Sequence, residues 1–195
     1  MTKSRHVIIL ALFSASSAFS AVNFSSHLAD IGPAPETKLI DAEGKPFDLA
    51  KMRGKCVLVS FVFTTCNGTC PLTSAAMAKC RDRLEKDGLW GQSIEFASIT
   101  LDPERDSSEV LAAYSGTYDA DPKSWHFLTG SPKDIGRVVA SWGMWARRDG
   151  SGVLDHPSRI FLVDPKGRIR EIYSLEFLTP EAIANDVRGL VGTSP

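Results

Sequence analysis

The chain has no excess of charge of either sign. Its 22 lysine and arginine residues stand against 23 aspartate and glutamate residues, which gives a formal net charge of −1 at pH 7. Domains that bind nucleic acid usually carry a basic patch or stripe, so nucleic acid is not an expected partner of this chain. Its 195 residues, of which 43% are hydrophobic, are enough for one globular domain with a buried core.

Long hydrophobic runs are also missing. A membrane-spanning helix needs about 20 apolar residues, and the apolar segment near the N-terminus, residues 7–13, is much shorter. Lys3 and Arg5 precede this segment and small residues follow it, which is typical of a secretory signal peptide. We predict a signal peptide over residues 1–21, with an uncleaved membrane anchor as the alternative. The domain is then periplasmic or secreted, where disulfides persist, with no membrane span in the mature chain if the signal is cleaved.

Repeats and low-complexity tracts are absent as well, and the rest of the chain alternates between strand and helix patterns. We predict a linker over residues 22–36 and one domain over residues 37–195. Strands are expected near 38–41, 46–49, 55–63, 93–101, 125–128, 158–163 and 168–173, and helices at 71–86, from about 107, at 132–141 and at 180–190. This order predicts an α/β fold, a thioredoxin-like mixed sheet flanked by helices with an added N-terminal β-hairpin.

Cysteine is scarce, and two of the four cysteines stand four residues apart directly after an apolar run. If Cys66 and Cys70 belong to the first turn of a helix, their sulfurs lie on one face, where the unpaired N–H groups favour thiolates. Such a pair suits a soft metal ion or reversible disulfide chemistry. The spacing is one residue longer than in a Cys-x-x-Cys motif, which widens the pair and favours a shared metal.

Two of the four histidines are candidates for a third ligand. His126 lies inside the predicted strand 125–128, where a position in the core or on a sheet face is the better interpretation. His156 lies in a glycine-rich loop before a predicted hairpin strand. A loop histidine is commonly structural or solvated, but beside two thiols on this type of scaffold His156 becomes a plausible metal ligand.

Four segments, in order, resemble the SCO/SenC family. They are the Cys-x-x-x-Cys-Pro run at 66–71 and the segments 99–114, 125–130 and 155–167. Members of this family are copper-binding, thioredoxin-fold proteins that help to assemble the dinuclear copper centre of cytochrome c oxidase. The resemblance extends from about residue 32 to residue 192.

The resemblance implies that Cys66, Cys70 and His156 bind copper, as Cu(I), Cu(II) or both. Thiolates favour Cu(I) and imidazole suits both oxidation states, although the same ligands with a water could hold zinc. The implied partner is the copper-centre subunit of cytochrome c oxidase or another copper protein. Asp155 either orients the imidazole or is a plain loop acid, and Asp102 either lies near the site or only initiates a turn.

The chain departs from the family pattern at four positions. Pro157 follows the histidine where the family usually has a small hydroxyl residue, and Thr65 stands where a histidine is common. Because proline fixes the local backbone, Pro157 could change how His156 reaches a metal. The other two departures are the additional cysteines, Cys56 and Cys80.

The additional cysteines lie too far along the chain to share a ligand set with Cys66. Cys80 is roughly 15 Å beyond Cys70 along a helix, and Cys56 is roughly 23 Å from the site along a strand. In a right-handed β–α unit the helix runs back beside its strand, so the two could meet at the far end. We predict a structural disulfide between Cys56 and Cys80, with two buried free thiols as the alternative.

Three functions remain open from the sequence. The first is a periplasmic copper metallochaperone that delivers copper to a respiratory oxidase or reduces the target cysteines. The second is an enzyme, a thiol–disulfide oxidoreductase with Cys66 as the nucleophile and Cys70 as the resolving thiol. The third is a redox or copper sensor. Replacement of His156 should damage copper binding but largely spare dithiol exchange, which separates the first two.

Overall fold

The computed structural model describes residues 28–150 and 154–192. The predicted signal peptide lies outside the described residues. Within the described ranges, no helix has both the length and the apolar character needed to cross a membrane.

A mixed eight-stranded sheet forms the centre of the fold. Its strands are β1 (Gly32–Pro33), β2 (Lys38–Asp41), β3 (Pro46–Asp48), β4 (Cys56–Val62), β5 (Ile94–Thr100), β6 (Trp125–Thr129), β9 (Ile160–Val163) and β10 (Arg168–Tyr173). A separate two-stranded ribbon consists of β7 (Arg147–Arg148) and β8 (Leu154–Asp155). The order across the sheet is β1-β10-β9-β4-β5-β6-β2-β3, and β7 pairs with β8 alone. β4, β5 and β6 are parallel, and the two hairpins at the flanks pair antiparallel to them.

Four helices cover both faces of the sheet. They are α1 (Thr69–Lys86), α2 (Ser108–Gly116), α3 (Pro132–Ser141) and α4 (Pro180–Val191). α1, α2 and α4 pack on one face, where Met77 and Val187 join a buried cluster with Leu58. α3 packs on the other, where Val138 joins a second cluster with Val59. Because successive strand residues point to opposite faces and both faces are covered, β4 and β5 are buried along their whole length.

Most of the predicted elements are confirmed. The hairpin of β2 and β3, the hairpin of β9 and β10, and all four helices lie where the patterns indicate them. The side chains of Ser107, Ser131 and Thr179 each accept a hydrogen bond from a backbone N–H in the first turn of α2, α3 and α4. These caps satisfy donors that have no partner within the helix, which is why helices begin there.

Two features differ from the prediction. The predicted linker spans residues 22–36, of which the structure describes 28–36; within these, Gly32 and Pro33 pair with β10 and Leu28 is buried in the core. The ribbon of β7 and β8 was not predicted at all, because two-residue strands carry no periodic pattern.

The predicted disulfide between Cys56 and Cys80 is not formed in the structure. All four cysteines are described and are free thiols, and Cys56 and Cys80 are fully buried in the same apolar cluster. Burial raises the pKa of each of these two thiols to about 12, because an apolar environment disfavours the thiolate. The structure therefore corresponds to the alternative of two buried thiols.

Candidate metal and redox site

Cys66 and Cys70 lie at the carboxyl end of β4, where a loop leads into α1. Cys66 is in the loop and partly exposed, and its backbone N–H donates to the carbonyl oxygen of Phe63 at 3.2 Å. Cys70 is in the first turn of α1 and is 1% exposed. Chemistry in open α/β sheets collects at the carboxyl ends of the strands, and the thiol pair occupies such a position.

The two thiols have different environments. The backbone N–H of Gly68 donates to the Cys66 sulfur at 3.4 Å. Burial raises the pKa of Cys70 to about 12, with a smaller upward contribution from its hydrogen bond with Cys66. The expectation that the helix N-terminus makes Cys70 a thiolate is therefore not met, because desolvation outweighs the N-terminal N–H groups.

His156 faces Cys70 from the other side of the cleft. Its Nε2 lies 3.7 Å from the Cys70 sulfur, and its Nδ1 lies 2.9 Å from the backbone oxygen of Pro157. A carbonyl oxygen can only accept, so Nδ1 carries the proton. In the neutral imidazole this leaves the Nε2 lone pair directed to the thiol, which is the arrangement that a metal-binding histidine uses.

An open cleft of about 610 Å³ connects these residues to solvent. It is lined by Phe63, Thr65, Cys66, Asn67, Gly68, Thr69, Arg105, Arg148, Leu154, Asp155 and His156. The ring of Phe63 stands edge-on to the His156 imidazole, with ring centroids 5.7 Å apart. Cys66 is therefore the thiol that a molecule in the cleft meets first.

The predicted ligands are only partly assembled. Cys70 contacts both Cys66 and His156. Even so, the described residues contain no set of three Cys, His, Asp or Glu side chains close enough together to hold a metal ion. The structure thus brings the thiol pair and the imidazole to one place without closing them into a three-ligand site.

The two aspartates predicted near the site have separate positions. Asp155 is exposed at the end of β8, and His156 Nδ1 donates to the backbone oxygen of Pro157 rather than to Asp155, which corresponds to the alternative of a plain loop acid. Asp102 is buried, with its Oδ2 atom 2.9 Å from Arg148 Nη2 and 3.0 Å from Arg105 Nη1.

His126 lies away from this site, as expected for a histidine on a sheet face. Its Nε2 donates to the Glu95 carboxylate at 3.0 Å, and its ring packs against Phe47.

Asp106 is a buried residue near the site that the sequence patterns do not single out. Its carboxylate is fully buried and accepts from the hydroxyls of Thr64 and Thr100, each at 2.5 Å. The only available signal was the position of Asp106, four residues after Asp102 in the turn that follows β5.

Comparison with known proteins identifies the family to which the chain belongs. The SCO1/SenC family model matches residues 33–192. A SCO2-like protein of Rickettsia typhi is 31% identical over 166 residues, which cover 82% of this chain and 78% of the relative.

Two solved structures share the fold over most of their length. A SCO1/SenC family lipoprotein from Bacillus anthracis superposes with a TM-score of 0.76 at 26% identity, covering 85% of this chain and 98% of that one. ScoI of Bradyrhizobium japonicum, solved with copper bound, gives a TM-score of 0.70 at 27% identity, covering 81% and 99%. The sheet and its helices thus form the thioredoxin-like fold of the Sco structures, and the chain belongs to the SCO1/SenC family.

Proposed function

We propose that this chain is a copper-binding protein of the periplasm or another extracytoplasmic space. It assists assembly of the copper centre of cytochrome c oxidase, by delivering copper to the copper-centre subunit or by reducing its cysteines. The observation that carries the proposal is the 3.7 Å approach of His156 Nε2 to the sulfur of Cys70, with Cys66 beside it at the mouth of the cleft.

The donor set suits copper. Thiolate sulfur favours Cu(I), and imidazole nitrogen accommodates both Cu(I) and Cu(II). In its neutral form His156 presents the Nε2 lone pair to the site, because Nδ1 donates its proton to the backbone oxygen of Pro157. The copper-bound Bradyrhizobium relative supports copper over zinc, which the same donors could also hold.

A protein that delivers copper must release the ion as well as bind it. Cys66 lines the open cleft and is partly exposed, whereas Cys70 is buried behind it. A copper ion held between them is open to attack by ligands of a partner from the side of Cys66. That access suits transfer to a second protein better than permanent storage.

An anaerobic Cu(I) titration of the reduced 195-residue chain tests the proposal. We expect one copper per chain, and we expect His156→Ala or Cys66→Ser to weaken the affinity by at least about tenfold. His126→Gln serves as the matched control, because it replaces a histidine that lies elsewhere and keeps a donor for Glu95. Wild-type affinity in His156→Ala would remove the histidine from the site.

Thiol–disulfide exchange is the second candidate, and the asymmetry of the thiols favours it. The accessible Cys66 thiolate would attack a target disulfide and form a mixed disulfide, releasing one target thiolate. Cys70, after losing its proton, would then attack Cys66, leaving a Cys66–Cys70 disulfide and a second reduced target thiol. Exchange that survives in His156→Ala while copper binding is lost would show that the two activities are separable.

A further inference from the structure

We infer that the turn between β5 and α2 positions the two halves of the site relative to each other. Asp106 holds the cysteine loop, residues 63–68 between β4 and α1, and Asp102 holds the histidine segment, residues 154–157. This inference rests on the proposed function for its copper readout. The halves come from distant parts of the chain, since Cys70 and His156 are 86 residues apart. The turn contacts both.

The turn is itself tightly closed. The backbone N–H groups of Arg105 and Asp106 both donate to the carbonyl oxygen of Asp102, at 3.0 and 2.9 Å. The N–H of Asp102 donates to the Thr100 hydroxyl at 2.9 Å. Both aspartate side chains point inward and are buried, at 3% and 0% exposure. Their carboxylates are therefore held in fixed places at the end of β5.

Asp106 reaches the cysteine loop through Thr64. Its carboxylate accepts from the Thr64 hydroxyl at 2.5 Å and lies 3.3 and 3.4 Å from the Thr64 backbone nitrogen. Its own backbone oxygen accepts from the Thr129 hydroxyl at 2.9 Å, which ties the turn to the end of β6. Thr64 is two residues before Cys66. The Asp106 carboxylate thus fixes the point at which the loop leaves β4, and with it the position of Cys66.

Asp102 reaches the histidine segment through Arg148. The Arg148 guanidinium lies 2.9 Å from the buried carboxylate. Arg148 belongs to β7 and pairs across the ribbon with Leu154 of β8, two residues before His156. The ion pair therefore anchors the ribbon that leads into the histidine. Asp102 is buried, whereas the Arg148 side chain is 33% exposed. Loss of the Asp102 charge therefore releases Arg148 to solvent, whereas loss of Arg148 leaves Asp102 paired with Arg105.

Replacement of Asp102 and replacement of Asp106 should affect copper affinity and the dithiol equilibrium differently. In Asp102→Asn the histidine segment is loosened, so copper affinity should fall at least about tenfold and the sulfur-to-copper charge-transfer spectrum should change. The equilibrium constant of the Cys66–Cys70 couple with glutathione should stay within about twofold, because the cysteine loop keeps its own anchor. In Asp106→Asn both quantities should change. Asp134→Asn is the matched control, an aspartate paired with Arg137 on the surface of α3.

A metal-free measurement separates this inference from the proposed function. Phe63 stands edge-on to His156, so the imidazole protons carry a ring-current shift that depends on their alignment. In Asp102→Asn the ring-proton NMR signals of His156 should move toward those of a free histidine, and in Asp134→Asn they should not. If the wild-type chain bound no copper, the proposed function would fail, and these signals would still decide the positioning role.

Partner variants guard against loss of folding. Arg148→Gln should reproduce Asp102→Asn, Arg148→Lys should partly restore copper affinity, and the double variant should be no worse than the single ones, as for two residues of one interaction. If Asp106→Asn does not fold, Thr64→Val removes the same hydrogen bond from the other side. A folded Asp102→Asn with wild-type copper affinity and wild-type His156 signals would overturn the inference.

Discussion

The Nδ1–H group of His156 donates a hydrogen bond to the backbone oxygen of the next residue, Pro157, with an N–O distance of 2.9 Å. This contact sets the tautomer, so Nε2 carries its lone pair toward the sulfur of Cys70, 3.7 Å away. A backbone acceptor is independent of side-chain chemistry. The proline at this position therefore keeps the orienting contact despite departing from the usual family residue.

Replacement of this proline gives a direct check. Pro157→Ser retains the backbone oxygen, so copper affinity should stay within about threefold of wild type, well below the loss expected for His156→Ala. Competition with a Cu(I) chelator measures both variants. A large loss in Pro157→Ser would mean that the proline ring, rather than its carbonyl oxygen, places the imidazole.

Copper affinity should rise with pH. Free Cys70 is protonated up to a pKa of about 12, whereas the copper-bound form requires the thiolate, so binding releases its proton. Each unit of pH then strengthens the apparent affinity about tenfold for that proton. Chelator competition at pH 6, 7 and 8 measures the slope, and Cys70→Ser should flatten it. An affinity that does not change with pH would argue against Cys70 as a thiolate ligand.

Stability should fall at alkaline pH. The pKa of Cys56 and of Cys80 is raised to about 12 in the folded state, above the unfolded value near 9. Below pH 9 both thiols are protonated in the folded and the unfolded state, so their effect on the free energy of unfolding is fully present. Above it the unfolded thiol ionises first, so stability is lost toward pH 12.

Urea unfolding at pH 7 and pH 10 tests this sign. The free energy of unfolding should drop by about 1 kcal/mol for each of these two thiols. Cys80→Ala, which removes one of them, should show a smaller drop between the two pH values. An equal drop in wild type and Cys80→Ala would assign the alkaline loss to other groups.

The four thiols should differ in reactivity. Cys66 is partly exposed and should be alkylated first, Cys70 more slowly, and Cys56 and Cys80 only after unfolding. Intact mass after alkylation of the unfolded chain without reductant counts free thiols. Four labels would match the structure, while loss of the labels at Cys56 and Cys80 would restore the predicted disulfide.

The sequence predicts the framework of this fold better than the contacts around its site. The strand β10 and the helix α3 lie where the sequence patterns at residues 168–173 and 132–141 predict them. These signals are local, and local chemistry is visible in one chain segment. The thiol pair after β4 is predicted for the same reason.

The missed contacts are long-range. The pairing of Arg148 with Asp102 joins residues that no pattern connects, and the ribbon that carries Arg148 is too short to have a period. Asp106 has the residue type and position of a helix cap, yet its carboxylate is buried against Thr64 while Ser107 caps the helix. The pKa of Cys70 is raised by burial, which depends on tertiary packing and is not visible in the local sequence.

Copper titration of the reduced chain, wild type against His156→Ala, is the most direct measurement. One copper per wild-type chain, with a sulfur-to-copper charge-transfer band and an affinity at least about tenfold weaker in His156→Ala, is the predicted result. His126→Gln should behave as wild type. No stoichiometric copper in the wild type, together with an active Cys66–Cys70 couple, would contradict the copper role and leave a thiol reductase on a Sco scaffold.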